Sequence, residues 1–159
     1  QEILIGTNRG MALRFNEKDI RSMGRAAAGV RAIRLGKNDY VVGLVAVRRS
    51  GSSILVVTNK GYGKRSDLDD YRLTRRGGKG VITVKSSEKS GNMISIREVV
   101  DNDDLMIITS KGIMIRQHVS DIRVMGRNTQ GVRLIKLEQG DTISAVASVV
   151  GEEEEENEE

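Results

Sequence analysis

The chain has no cysteine, no proline, no tryptophan and only one histidine. Without cysteine there can be no disulfide and no thiolate metal site, and a reducing compartment is permitted. Without proline, strand interiors run uninterrupted and turns fall to glycine, asparagine and aspartate. Without tryptophan, the WD and kelch signatures of familiar radial β arrays are missing. The aromatics are Phe15, Tyr40, Tyr62 and Tyr71, too few for the stacking platforms that grip single-stranded nucleic acid. No apolar run approaches the roughly 18 residues needed to span a bilayer. The chain opens at Gln1 with no secretory leader, so it is expected to be an excised piece of a longer cytoplasmic protein. His118 stands without a nucleophile or orienting partner in sequence, so no catalytic residue is expected. The acidic run Asp101–Asp104 reads as a solvated turn ahead of a strand rather than a Mg²⁺ site. No metal or other cofactor is expected.

What the sequence has in abundance is charge, unevenly spread. The 159 residues carry a net +4, yet Glu152–Glu159 alone holds seven glutamates, which leaves +11 on residues 1–151. A basic body with an acidic, disordered tail points to a polyanionic partner and to a tail that competes with it.

The body repeats itself. "ILIGTNRGMALRF" from Ile3, "ILVVTNKGYGKRS" from Ile54 and "LMIITSKGIMIRQ" from Leu105 align without a gap at a period of 51 residues. Gly10, Gly61 and Gly112 share one phase; so do Asp19, Asp70 and Asp121, and Gly29, Gly80 and Gly131. Each unit reads as β: a β-branched run, a three-residue turn ending in glycine, and a returning strand. A Gly- and Arg-rich loop leads to a third run ("VRAIRL", "VITVK", "VRLIKL"), and a polar turn to a fourth. Four strands per unit describe a blade of a propeller-like array, with repeats at about 3–53, 54–104 and 105–150. Three blades are too few to close such an array, so the terminal blades should leave apolar faces for missing blades or a second copy to cover.

The positive charge keeps the same phase. Arg9/Lys60/Lys111, Arg14/Arg65/Arg116, Arg21/Arg72/Arg123, Arg25/Arg76/Arg127 and Arg34/Lys85/Lys136 recur, and Arg31 and Arg133 flank Ile82. Seventeen of the 26 basic residues fall in these columns. Equivalent side chains in a radial array reappear at equal angles, and a duplex offers phosphates at regular spacing. A curved basic track could therefore bend double-stranded DNA without reading its bases. The stretch "TRRGGKG", Thr74–Gly80, is not a nucleotide loop, because the residue after Lys79 is Gly80 rather than Ser or Thr. Its glycines would let backbone N–H groups approach phosphate while Arg75, Arg76 and Lys79 neutralise it.

"GRAAAGVRAIRL" and "GRNTQGVRLIKL", with "TNKGYGKRSDLDDYRLTRRGGKG" between them, resemble the C-terminal domain of bacterial DNA gyrase A subunits over residues 3–150. The resemblance implies a β-pinwheel of six blades that exchange strands, with DNA wrapped around its perimeter in the positive sense to support negative supercoiling. This chain would supply the last three blades and the tail. Arg75, Arg76, Gly77, Gly78, Lys79 and Gly80 match the family's Q-[KR]-R-G-G-[KR]-G box, with Thr74 in place of its Gln, as a secondary copy. Expected DNA contacts are this box together with Arg14, Arg25, Arg31, Arg34, Lys64, Arg65, Arg72, Lys85, Arg116, Arg127, Arg133 and Lys136. Partners implied are duplex DNA, the rest of gyrase A, gyrase B and a second copy through exposed blade faces, with no membrane. A cytoplasmic, nucleoid-associated location follows. The chain alone would not be an enzyme but part of an ATP-dependent type II topoisomerase. The alternatives are the corresponding domain of topoisomerase IV and a basic β scaffold for an acidic protein.

Overall fold

The computed structural model describes residues 1–127 and 129–151, so the acidic stretch predicted to be disordered lies outside the described residues. Each repeat opens with an antiparallel hairpin, and the three are β1 (Glu2–Thr7) with β2 (Met11–Asn16), β4 (Ser53–Thr58) with β5 (Tyr62–Asp67), and β9 (Asp104–Thr109) with β10 (Met114–His118). The turns close on Gly10, Gly61 and Gly112 at φ of 84°, 90° and 85°, a region glycine enters freely and side chains resist. A short 3-10 turn follows each hairpin, at Glu17–Asp19, Leu68–Asp70 and Val119–Asp121. The last strand of each repeat, β3 (Val41–Val47), β8 (Met93–Val99) or β12 (Ile143–Val149), pairs antiparallel with the first strand of its own hairpin.

The remaining strand of a blade comes from the next repeat. β6 (Leu73–Thr74) and β7 (Val81–Ile82) belong to the second repeat but pair with β2 of the first blade. Likewise β11 (Val132–Arg133), from the third repeat, pairs with β5 of the second. The third run of each repeat is therefore shorter than its sequence suggests, two residues in the second and third repeats. In the first repeat "VRAIRL" forms no strand at all. The reason is physical: a strand needs a neighbouring edge for its N–H and C=O groups, and among the described residues no strand pairs with this run.

Packing follows the same exchange. Leu4, Ala12 and Val45 of the first blade close on Ile54, Val56, Met93 and Ile96 of the second, and the donated Tyr71 and Val84 fill the seam. Leu55, Val57 and Val99 meet Leu105, Ile107, Ile143 and Val146 across the second seam, with Val119 and Ile122 beneath. Each such side chain, fully buried, contributes on the order of 2 kcal/mol, so the seams hold the fan together. The middle strand β4 is buried at every position, while the outermost, β10, alternates between exposed and half-buried.

Candidate nucleic-acid interface

Two sides of the fan differ in what they can touch. β3 and β8 meet at the hub, where a Cβ placed on Gly43 would stand 3.1 Å from Cγ2 of Ile96. The donated strands β7 and β11 lie at the other end of their sheets and form the rim. The Thr74–Gly80 loop is carried there by β6 and β7, which anchor it at both ends to β2. A cleft of about 420 Å³ beside the loop is lined by Arg14, Arg34, Arg72, Arg75, Lys79 and the glycines 77, 78 and 80, with no carboxylate. An adjoining cleft of about 490 Å³ shares Arg34 and Lys79 and adds Arg9 and Lys37. Its one carboxylate, Asp39, is occupied by the backbone N–H groups of Arg9 and Tyr40.

One blade further on, a third cleft of about 540 Å³ gathers Lys60, Lys89, Arg133 and Lys136. Its one carboxylate, Asp141, accepts from the backbone N–H groups of Lys111 and Thr142. There the Arg133 guanidinium lies 5.6 Å from the Tyr62 ring centroid and donates to its hydroxyl at 3.2 Å. That hydrogen bond, ahead of the guanidinium's charge, draws the Tyr62 hydroxyl below its ordinary pKa. Lys37 and Lys89 are rim residues that the repeat phase does not reveal. They sit in polar turns of unequal length, so they fall 52 residues apart rather than 51.

Several expected contact residues are committed inside the molecule instead. Nε of Arg14 donates to Glu2 at 2.7 Å, and its Nη1 to the carbonyls of Leu68 and Tyr71 at 3.1 and 2.8 Å. Buried Arg65 bonds Ser53 Oγ and lies 2.7 Å from Asp101, and Arg116 lies 2.6 Å from Asp104. All three are ion-paired to the chain's own carboxylates, Arg14 and Arg65 from largely buried positions and Arg116 from an exposed one. Lys64 is fully buried where its equivalents are Leu13 and Ile115. Its ammonium donates to the carbonyls of Arg127 and, at 3.0 Å, Thr129. Burial, then the nearby Arg127, lowers the Lys64 pKa from 10.5 to about 8.

Arg76 and Arg127 are clamps between neighbouring repeats. Arg76 donates to the carbonyls of Asp19 and Arg31 at 3.1 and 3.0 Å. Arg127, one period later, donates to those of Asp70 and Ile82, both at 2.9 Å. Sequence phase alone cannot separate these columns from the rim, because duplication copies a clamp as faithfully as a contact. Arg25, Arg31, Arg34, Arg72, Arg75, Lys79, Lys85, Arg133 and Lys136 are exposed, and none forms an ion pair with another described residue.

The acidic run is not the solvated turn expected of it. Asp103 is fully buried and holds Arg49 through two hydrogen bonds of 2.5 and 2.9 Å, tying the link between the first two blades to the start of the third. Burial alone would raise its pKa, but the Arg49 bond and the Val100 N–H together hold it below the usual carboxylate value. His118 stays exposed, its Nδ1 2.7 Å from Asp104.

Strand-exchanged blades around a common hub, with cationic clefts along the rim, define a β-propeller of the pinwheel kind. Residues 1–48, 52–97 and 103–149 match the family described as DNA gyrase C-terminal domain, beta-propeller, and the chain belongs to that family. It is 48% identical over 159 residues to the DNA gyrase A subunit of Staphylococcus aureus (strain MRSA252), covering 99% of this chain and 18% of that protein. To the DNA gyrase A subunit of Ureaplasma parvum serovar 3 it is 47% identical over 146 residues, covering 92% and 17%. The chain thus spans under a fifth of the length of these curated relatives. A crystal structure of the C-terminal domain of DNA topoisomerase IV superposes with TM-score 0.87 at 27% identity, covering 94% of this chain and 46% of that one. A DNA gyrase A C-terminal domain structure gives TM-score 0.86 at 23% identity, covering 94% and 51%, a likeness of fold.

Proposed function

We propose that this chain binds duplex DNA along its rim and bends it, without sequence preference, as part of a gyrase A C-terminal domain that supports negative supercoiling. The observation that carries the reading is the set of exposed bases Arg9/Lys60, Arg34/Lys85/Lys136, Arg72 and Arg31/Arg133, repeated on successive blades and paired with no carboxylate, with the Arg75–Lys79 loop among them. Backbone phosphates are the ligand that matches such a series, since they recur along a rod and carry no sequence. Bending is favoured because a straight duplex would meet only one blade of a fan, while a curved one gains contacts at each.

Identity near one half to gyrase A subunits favours gyrase over topoisomerase IV. Strand cleavage, resealing and ATP turnover belong to parts of the enzyme beyond this chain, and the rest of gyrase A and gyrase B are its partners in a bacterial cytoplasm. The test is energy transfer between dyes at the two ends of a linear duplex. Saturating protein at low salt should bring the ends together, and raised salt should release them. An end-to-end distance unchanged at saturation would remove the reading.

A further inference from the structure

Each blade ties the turn ahead of its last strand to the hairpin turn beside it. Asn8, Asn59 and Ser110 donate their backbone N–H to the carbonyls of Tyr40, Asn92 and Thr142 at 2.9, 2.9 and 2.8 Å. Asp39, Gly91 and Asp141, one residue earlier, therefore hold equivalent places, which unequal turn lengths hide from the 51-residue phase. In the first blade one oxygen of Asp39 accepts from the backbone N–H groups of Arg9 and Tyr40, both at 2.9 Å. In the third, one oxygen of Asp141 accepts from those of Lys111 and Thr142 at 3.1 and 2.8 Å. Two blades thus fill the same seat with an oxyanion of their own.

The second blade keeps the seat and lacks the oxyanion. Gly91 stands in the aspartate's place at φ 79°, and a Cβ there would fall on Asn59 Oδ1, so that position admits no side chain. Asn59 turns in instead, and its Oδ1 accepts from the Asn92 N–H at 3.1 Å. The other donor, the N–H of Lys60, has no acceptor among the described residues. The Lys60 ammonium bonds the carbonyl of Glu88, as Lys111 bonds that of Gln139 and Arg9 that of Asn38, so every blade holds a cation at this turn. Only in the second blade does no aspartate stand beside it; the one carboxylate there belongs to exposed Glu88. A recess of about 290 Å³ opens at this point between Asn59, Lys60, Ser86 and Asn92. With Asn59 Oδ1 and Asn92 Oδ1 both accepting within the turn, the two amide NH₂ groups bond no other described residue and are left as donors.

We propose that this recess seats one phosphate group, which takes the Lys60 N–H that a carboxylate takes in the neighbouring blades. The Lys60 ammonium supplies the charge, and the Asn59 and Asn92 amides supply further donors to the remaining oxygens. The phosphate comes from a DNA backbone or from a free phosphate ion. The first source rests on the rim reading above, since the recess shares Lys60 with the cleft of Arg133 and Lys136; the seat itself does not.

The test is amide NMR of the whole 159-residue chain, titrated with inorganic phosphate at neutral pH and constant ionic strength without DNA. The Lys60 N–H signal should move and saturate, while those of Arg9 and Lys111, already bonded to aspartate, should stay. Asn59→Asp keeps the acceptor for Asn92 but sets a negative charge in the seat, and should weaken phosphate about 10-fold. Asp39→Ala should open the first blade's seat and give the Arg9 N–H the same response, with the Lys60 response in that variant reporting an intact fold. A short duplex added in place of phosphate separates the sources. A Lys60 shift that Asn59→Asp diminishes assigns a backbone phosphate; bound duplex with Lys60 unmoved assigns the free ion. Duplex that does not bind at all removes the rim reading and leaves the seat to the free ion. A Lys60 signal indifferent to phosphate, equal shifts at Arg9, Lys60 and Lys111, an undiminished phosphate response in Asn59→Asp, or an Arg9 signal still silent in Asp39→Ala would each overturn the proposal.

Discussion

Removing Arg75 and Lys79 together should weaken DNA binding without weakening the fold. Both are exposed on the rim loop, and neither side chain bonds another described residue. If each neutralises one phosphate, each contributes about 0.9 to the slope of log affinity against log salt. The double variant Arg75→Ala, Lys79→Ala should therefore lose about 1.8 from that slope. The same relation makes each contact worth roughly eightfold at 0.1 M salt, so the pair should cost about 60-fold in affinity. Arg76, between them in sequence, supplies the control. Its guanidinium already donates to the Asp19 and Arg31 carbonyls, so Arg76→Ala should cost ~2 kcal/mol of folding stability and leave the salt slope unchanged. Fluorescence anisotropy of a labelled duplex over a salt series measures the slope, and urea titration measures the stability. An unchanged slope in the double variant, or an equal drop in Arg76→Ala, would refute the division between rim and clamp.

Buried charge gives two further expectations. Lys64 has a folded pKa of about 8 against an ordinary 10.5, so its charged form opposes folding; stability should rise as pH climbs from 8 towards 10.5, by up to ~3 kcal/mol. Lys64→Met should lack that rise, and identical pH profiles by urea titration would count against it. Asp103 has a depressed pKa, so its contribution is present above about pH 4 and disappears as pH falls through the folded value. Asp103→Asn should cost ~2 kcal/mol at neutral pH and less at the lowest pH at which the fold survives, since it breaks a partly shielded ion pair. An equal cost at both values would show that the Arg49 pair is not the cause.

The repeat, its β character and the glycine turns were legible because they depend on local rules: β-branched runs, a positive φ after a short loop, and a fixed 51-residue phase. The resemblance anticipated strand exchange, but the sequence did not show how short the donated strands are. Val81–Ile82 is two residues long because only that much of the run lies beside β2. The candidate site was half legible. Arg34, Arg72, Arg75, Lys79 and Arg133, named from the repeat phase and the glycine-rich loop, are exposed and line the basic clefts. Arg14, Arg65 and Lys64 are largely buried instead, because strand alternation and exchange turn them towards Glu2, Asp101 and the carbonyl of Thr129, partners remote in sequence. Lys37 and Lys89 escaped notice because turn lengths differ between repeats, and with them the phase that exposes the other columns.

The central claim is that an arc of cations on successive blades curves a duplex around the rim. Sealing nicked circular DNA with ligase in the presence of this chain, then removing the protein, records that curvature as topology. The account predicts a linking number displaced from that of protein-free circles, the displacement growing with protein up to saturation and vanishing at high salt. A linking number identical to that of protein-free circles, at protein levels where binding is complete, would contradict it.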